Sequence, residues 1–516
     1  MVTSKKQVKK HFLMKRTYAG EKGAFKVLGI NFSTNLEEMI ELNYNEKIRE
    51  IKTLLLSWSK RVLTPFGKIT VLKSLAISKL NHLFMALPNP PERVIKELDS
   101  MFFKFIWKNS PDKIKRDVVI KDYENGGLKM IKIHPFMNAL KVTWIRRILK
   151  ANNKNLNILE EAFPEVHHFT KFGTDFLHNK LNKLKNKFWK DVFTAWINFG
   201  KKNEICSWEE FMAQPIWYEH PNVKVGGSSV IYQAYTNRNI IFLADLIDKD
   251  GQFRKYEEIR NNLGINTNFI KHNGLIQAIN KYKNKLTFKI QEKTIKRPIC
   301  PTNIKMLTLD EKGCQTIYHT LIENNTTPKA EIKWQREEIL PENFNWKQVY
   351  KSLHTVTQDT HLKWFQYRIQ HRILATNTFL TKIGIKNSES CSFCNTQRET
   401  LRHLFYECEI VKNFWNKIKD WFNLRCTQHT FPNLSCVDTL FGLTNAKEIN
   451  TIFNWIILIA KKYIYYSRLK SNIPCIQAFV KTLQLYFKTE KHVAFRNCEW
   501  NSFNKKWLGY KYIFEI

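Results

Sequence analysis

Apolar side chains recur every three or four residues over long stretches of this 516-residue chain. That spacing matches the 3.6-residue turn of a helix, not the two-residue alternation of a half-buried strand. Tyr44, Ile48, Ile51, Leu55, Trp58 and Val62 form one stripe, and Ile69, Leu72, Ala76, Leu80 and Leu83 a second. Ile95, Leu98, Met101, Phe102, Phe105 and Ile106 form a third, and Met137, Leu140, Trp144 and Ile148 a fourth. Pro65-Phe66-Gly67, Pro88-Asn89-Pro90-Pro91 and Gly126-Gly127 separate them, proline because it lacks a donor and restricts the residue before it. Gly 17 and Pro 15 are low counts for the length, which argues against a turn-rich, many-stranded architecture. The expected fold is mainly α and multi-domain.

The chain divides by composition. Residues 1–24 are a basic stretch, suited to a nuclear-import or nucleic-acid arm and equally to a solvated, frayed end. Residues 25–150 read as a compact helical bundle and 151–282 as a helical connector. Residues 283–330, polar and basic with Pro298 and Pro301, read as a linker. Residues 331–425 surround a cysteine cluster, and 426–516 are a helical tail.

Charge narrows the partners. Lys+Arg 83 against Asp+Glu 46 gives +37, a field that attracts polyanions, with nucleic acid first and an anionic membrane surface second. Lys- and Asn-rich coding bias would produce the same excess without any ligand. The longest apolar runs, such as Trp455 to Ala460, fall far short of the ~18–20 residues of a membrane span. The basic N-terminus has no apolar core behind it, so no secretory signal is expected. Ten cysteines are too sparse for a disulfide scaffold, which points to an intracellular, reducing compartment.

Cys391-Ser392-Phe393-Cys394, His403 and Cys408 carry the strongest chemical signal. Two cysteines two residues apart can present both sulfurs from one turn, and a histidine and a further cysteine complete a tetrahedron. Three thiolates and an imidazole suit a closed structural Zn²⁺ site; the alternative is small buried cysteines beside a core histidine. Cys426, His429 and Cys436 supply only three ligands at loose spacing. Asp248, Asp250, Gly251 and Glu257 suggest a calcium loop, but Leu246 stands where its first carboxylate should be, so a polar turn is expected. Gly67-Lys68 lacks the rest of a phosphate loop.

The stretch from His361 to Leu374 is expected to form a basic amphipathic helix, with Leu362, Phe365, Ile369 and Ile373 on one side. Lys363, Arg368, His371 and Arg372 are candidate phosphate contacts; a solvated face explains the same pattern equally well. Phe393, Phe405, Phe414 and Trp415 suit base stacking or a core. No Asp-Asp pair occurs anywhere, so no two-metal nucleotidyl-transfer centre is visible, and no catalytic residue is assigned.

Taken as an ordered series, these segments resemble the C-terminal part of the reverse-transcriptase polyprotein of non-LTR (LINE-type) retrotransposons. Val27-Leu28-Gly29-Ile30, Asn43-Tyr44, Trp58, Arg61, Gly67-Lys68, Pro88, Phe105-Ile106-Trp107 and Gly126-Gly127-Leu128 are similar to its thumb. Asp245-Leu246 through Gly251-Gln252-Phe253 is similar to the region downstream. Phe365-Gln366, His371-Arg372-Ile373, Thr376-Asn377, the cysteine cluster and Glu399-Thr400 to Phe405 resemble its zinc-binding module, and Ala460 to Tyr465 its tail. The resemblance implies a thumb-like bundle, a connector and a helical region around a zinc knuckle. It implies that the endonuclease and the catalytic palm lie upstream of Met1, leaving this chain inactive by itself. It also implies RNA, and DNA in second place, as partners in the cytoplasm and nucleus, with the palm as a partner if supplied separately. An inert relic or a domesticated scaffold is the alternative.

Overall fold

The computed structural model describes residues 24–150, most of 181–286, 313–322, 326–444 and 449–515. Nearly all of the basic N-terminal stretch, and residues 287–312 of the expected linker, lie outside the described residues. Of the described residues 63% are helical. Among the described residues strands occur only as two antiparallel pairs, Ala24–Val27 with Ile30–Ser33 and Lys224–Val225 with Ser228–Ser229. In the first pair Leu28 and Gly29 turn the chain at φ +49° and +80°, the left-handed backbone that a two-residue hairpin loop requires.

Two compact units are built from interleaved segments: 1–53, 76–100 and 132–323 form one, and 54–75, 101–131 and 324–516 the other. In the first unit the Ile133–Lys150 helix packs Ala139, Val142 and Ile145 against Val192, Phe193 and Trp196 of the Lys187–Lys202 helix. The buried Lys141 donates to the Leu87 carbonyl, and Trp144 Nε1 donates to the Met85 carbonyl at 2.9 Å. Together they satisfy the end of the Ser78–Ala86 helix. A separate core gathers Trp217, Tyr235, Leu243, Ile259 and Leu275. At its edge the Asp248 carboxylate accepts from the Gln252 N–H at 2.9 Å, and Gly251 adopts φ +81°. Asp250, named in the calcium-loop pattern, lies outside the described residues.

In the second unit Pro65 begins a helix, Pro65–Val71, with the Thr64 hydroxyl accepting from the Gly67 N–H. Proline suits the first helical position because its missing donor would be unpaired there anyway. Val62 falls in the preceding break and is 80% exposed. Gly126, at φ +74°, presents its carbonyl to the Tyr367 hydroxyl at 3.0 Å. At Gly127 a Cβ would lie 1.9 Å from the Lys121 carbonyl oxygen, so this turn admits no side chain. The rings of Phe66, Tyr123, His354 and Tyr367 close around the same point.

The Ile449–Leu469 helix is the axis of this unit. Every residue from Ile452 to Lys461 is buried, which is why its sequence is apolar all round rather than striped. No described helix is long and apolar enough to cross a membrane.

Lys461 ends that run with no carboxylate partner among the described residues. Its ammonium donates to Gln366 Oε1 at 2.7 Å and to the Leu440 carbonyl at 2.9 Å, and burial pushes its pKa down to about 7. In the unfolded chain it holds its proton up to about 10.4. Between these values the unfolded state binds more protons, so stability rises with pH across that window. Urea unfolding of the second unit at pH 7 and pH 9.5 should show this rise, and Lys461→Met should lose it. An unchanged pH dependence in the variant would place the titration elsewhere.

Candidate metal centre

Residues 389–408 fold into a knuckle closed by backbone pairing. Cys391 N–H donates to the Gln397 carbonyl at 2.7 Å, and Glu399 N–H to the Glu389 carbonyl at 2.7 Å. Asn395 turns the chain at φ +57°, with its N–H on the Cys391 carbonyl at 3.0 Å. Asparagine tolerates this left-handed backbone better than most side chains. Beyond the turn, a π-helical segment, His403–Glu407, ends with the Cys408 N–H donating to the His403 carbonyl at 3.0 Å. That wide turn brings His403 and Cys408 to the same side, and π-bulges recur at functional sites.

The four sequence-predicted ligands converge. Ligand atoms of Cys391, Cys394, His403 and Cys408 all lie within 4.8 Å of one another. The Cys391 and Cys408 sulfurs are 4.0 Å apart, and Cys394 Sγ is 3.4 Å from His403 Nε2. Zinc bonded at ~2.3 Å to sulfur and ~2.0–2.1 Å to nitrogen sets tetrahedral edges of about 3.8 Å (S to S) and about 3.6 Å (S to N). The donor set and its spacing therefore fit a zinc ion. Four protein ligands leave no position for a catalytic water, so the site is structural.

The surroundings favour thiolates at two of the three cysteines. A hydrogen bond from Cys391 draws the Cys408 thiol down to about 7, aided by the Val411 and Ile410 N–H groups at the start of the Glu409–Asn423 helix. The same contact, followed by burial, pushes the Cys391 thiol up. At Cys394 burial works against the charge, but hydrogen bonds from the Thr396 hydroxyl and the Thr396 and Gln397 backbone prevail and lower its pKa. A cation bound there would stabilise both thiolates of the Cys391–Cys408 pair, their proton being released to solvent.

A buried ion pair holds the knuckle in place. Glu399 and Arg468 are 0% and 3% exposed and meet at 2.6 Å. Glu399 also accepts from the backbone N–H groups of Asn377 and Ser392, each at 2.9 Å. Arg468 donates to the Ala375 carbonyl at 3.0 Å and to Asn377 Oδ1 at 2.6 Å. Asn377 donates in turn to the Ser390 carbonyl at 2.6 Å. Sequence reasoning assigned no role to these three residues. Glu399 and Asn377 sit in the motif series, but Arg468 is a helix-face arginine far along the chain with no local signal.

The other cysteines do not assemble. Among the described residues no second metal-binding group forms; Cys426 meets the Tyr512 hydroxyl at 3.8 Å and the His429 ring lies against Tyr510. Phe405, Phe414 and Trp415 are buried in the core, and Phe393 is half-buried.

The four cations named from sequence meet unequal surroundings. The Thr360–Gln370 helix is enclosed, with Leu362, Phe365, Gln366, Tyr367, Ile369 and Gln370 all buried. It is not the half-exposed amphipathic helix that the pattern suggests. Burial lowers the pKa of both Lys363 and Arg368, and Arg368 Nε has no hydrogen-bond partner among the described groups. His371 is buried against Tyr367 and Tyr350, and burial pushes its pKa down to about 3, which leaves it neutral. Arg372 pairs with Glu337 and lies 4.3 Å from the Trp334 ring, but keeps 27% of its side chain exposed.

A closed Cys3His zinc knuckle docked on a helical unit is the class of site the geometry defines. Residues 317–415, which include all four ligands, match the family model described as zinc-binding in reverse transcriptase. This part of the chain is a reverse-transcriptase-associated, zinc-binding region.

Purified protein should contain about one equivalent of zinc by atomic absorption. Cys394→Ser should lose it and make the knuckle protease-sensitive, because metal binding contributes directly to local folding; full zinc in the variant would remove the assignment. Glu399→Gln leaves the Arg468 charge buried and unpaired, and should destabilise the second unit by about 3–5 kcal/mol in urea unfolding. A change below ~1 kcal/mol would show that water reaches Arg468.

Proposed function

We propose that the chain is the C-terminal, nucleic-acid-binding part of a non-LTR retrotransposon reverse transcriptase. Residues 25–150 act as its thumb-like bundle, and the following helices as a connector to the zinc region. In a complete element it holds the RNA template, and the DNA primer with it, during target-primed reverse transcription in the cytoplasm and nucleus. The observation that carries this reading is the match over 317–415 falling on a cluster with all four metal ligands in place. The +37 charge supports it by supplying long-range attraction to phosphates. Catalysis is assigned to a palm outside this chain, since the sequence has no Asp-Asp pair. Of the four residues named above, Lys363, Arg368 and Arg372 are part-exposed cations that remain candidate phosphate contacts, Arg372 in competition with Glu337, whereas His371 is buried and neutral.

Binding of a labelled structured RNA across a salt series tests this reading. The expected log–log slope is several units below zero, with measurable affinity at moderate salt, as several displaced counterions require. Binding that vanishes by ~0.15 M salt would mean that the net charge is compositional and would overturn the proposal.

A further inference from the structure

The knuckle forms one side of a basic groove of about 750 Å³, within the ~300–1,000 Å³ range of ligand-sized clefts. The Lys329–Gln335 helix and its end supply Lys333 and Arg336, and the Asn377–Lys382 helix supplies Phe379 and Lys382. The knuckle itself supplies Arg398, and Arg372 lies between. Five cations thus face one carboxylate, Glu389, which is already paired with Arg398.

The pairing decides which of these cations are available. Arg372 is held by Glu337, and Arg398 by Glu389. Lys333, Arg336 and Lys382 are exposed, and no ion pair engages them among the described residues. Three unpaired cations lining one concavity repel one another, and a bound polyanion would relieve that repulsion. The rest of the lining is four threonines and four apolar side chains: Leu374 and Leu401 are buried, Phe379 is half-buried and Ile383 is 50% exposed. Exposed cations and an aromatic ring lining one groove match a ligand with a repeating anionic backbone and flat apolar faces.

We propose that this groove binds a single strand of nucleic acid. The backbone phosphates meet Lys333, Arg336 and Lys382, and an unpaired base lies against Phe379. A duplex keeps its base faces stacked inside and cannot offer one to the groove, whereas single strands combine phosphate contacts with base–aromatic stacking. An acidic peptide would satisfy the cations and leave the aromatic ring without a planar partner. The proposal rests on the nucleic-acid reading above and assigns it to one surface. Because the knuckle carries Arg398 and borders the groove, loss of zinc should also weaken binding there.

The test uses the full chain and a labelled 12-nucleotide oligouridine in a salt series. The variant K333E/R336E/K382E is compared with K470E/K481E/K488E, which reverses three exposed lysines elsewhere in the same unit. Each single-strand phosphate contact contributes about 0.7 to the log–log slope, so the groove variant should be shallower by about 2 and bind at least 10-fold more weakly at 0.1 M salt. The control variant should change less than 3-fold, both variants should keep one equivalent of zinc, and Phe379→Ala should weaken binding with the slope unchanged. Equal losses in the two triple variants would overturn the groove while leaving nucleic-acid binding standing. No binding by the unaltered chain would overturn both. Displacement by polyglutamate of equal charge at equal concentration would make the groove a plain polyanion site and overturn the single-strand assignment.

Discussion

Helices that end inside a packed core leave carbonyl oxygens that water cannot reach, and a mainly helical chain meets this problem repeatedly. Here lysine solves it. Lys68 donates to the Phe105 and Ile106 carbonyls at 2.7 and 3.1 Å, and Lys202 to Leu321 at 2.7 Å. Lys461 reaches Leu440 at 2.9 Å, Lys506 reaches Val356 at 2.8 Å, and Lys141 reaches Leu87. Each acceptor lies at or beside a helix C-terminus, where the helix dipole favours a positive charge. The long alkyl stem crosses the apolar interior and the ammonium meets the carbonyls. Burial lowers the pKa of Lys68, Lys141, Lys461 and Lys506, so these lysines weaken as cations while they complete the helices.

The knuckle depends on a different device. About twenty residues cannot bury a sufficient core of their own, and small modules need metal or docking to hold their shape. The Cys3His cluster supplies the first. The Glu399–Arg468–Asn377 network supplies the second, tying the turn that carries Cys391 to the most deeply buried helix of the unit. A buried ion pair of this kind is poor evidence for stability in itself, because desolvation offsets much of the attraction. Its effect is on position: Glu399 accepts from the Ser392 N–H, next to the first ligand.

The sequence carried the parts of this structure that are local. Stripes such as Ile95 to Ile106 became helices because one apolar face must be buried. The zinc ligands were legible because all four fall within eighteen residues and their spacing alone restricts the geometry. The Thr360–Gln370 helix misled for a physical reason. Gln366, Tyr367 and Gln370 look polar, yet they are buried and two of them bond to distant groups: Gln366 Nε2 to the Leu440 carbonyl at 2.8 Å and Tyr367 to Gly126. No periodicity reveals that a polar face has a partner. The lysine caps and Arg468 were invisible for the same reason, because their acceptors lie tens to more than a hundred residues away.

This sorting changes what a net charge means. Counting Lys and Arg treats every cation as a potential phosphate contact, but a lysine whose ammonium is turned inward onto buried carbonyls is not presented to a ligand. Arginines paired with Glu337 and Glu389 are already partly neutralised. The informative cations are those the fold places together and leaves unpaired, and Lys333, Arg336 and Lys382 meet that condition beside the knuckle. In the groove proposed above, a bound metal would act without touching the ligand: it would fix the turn between Cys391 and Cys394, and with it the backbone that carries Arg398. A structural zinc ion can in this way set the shape of a binding surface whose charges belong to other elements.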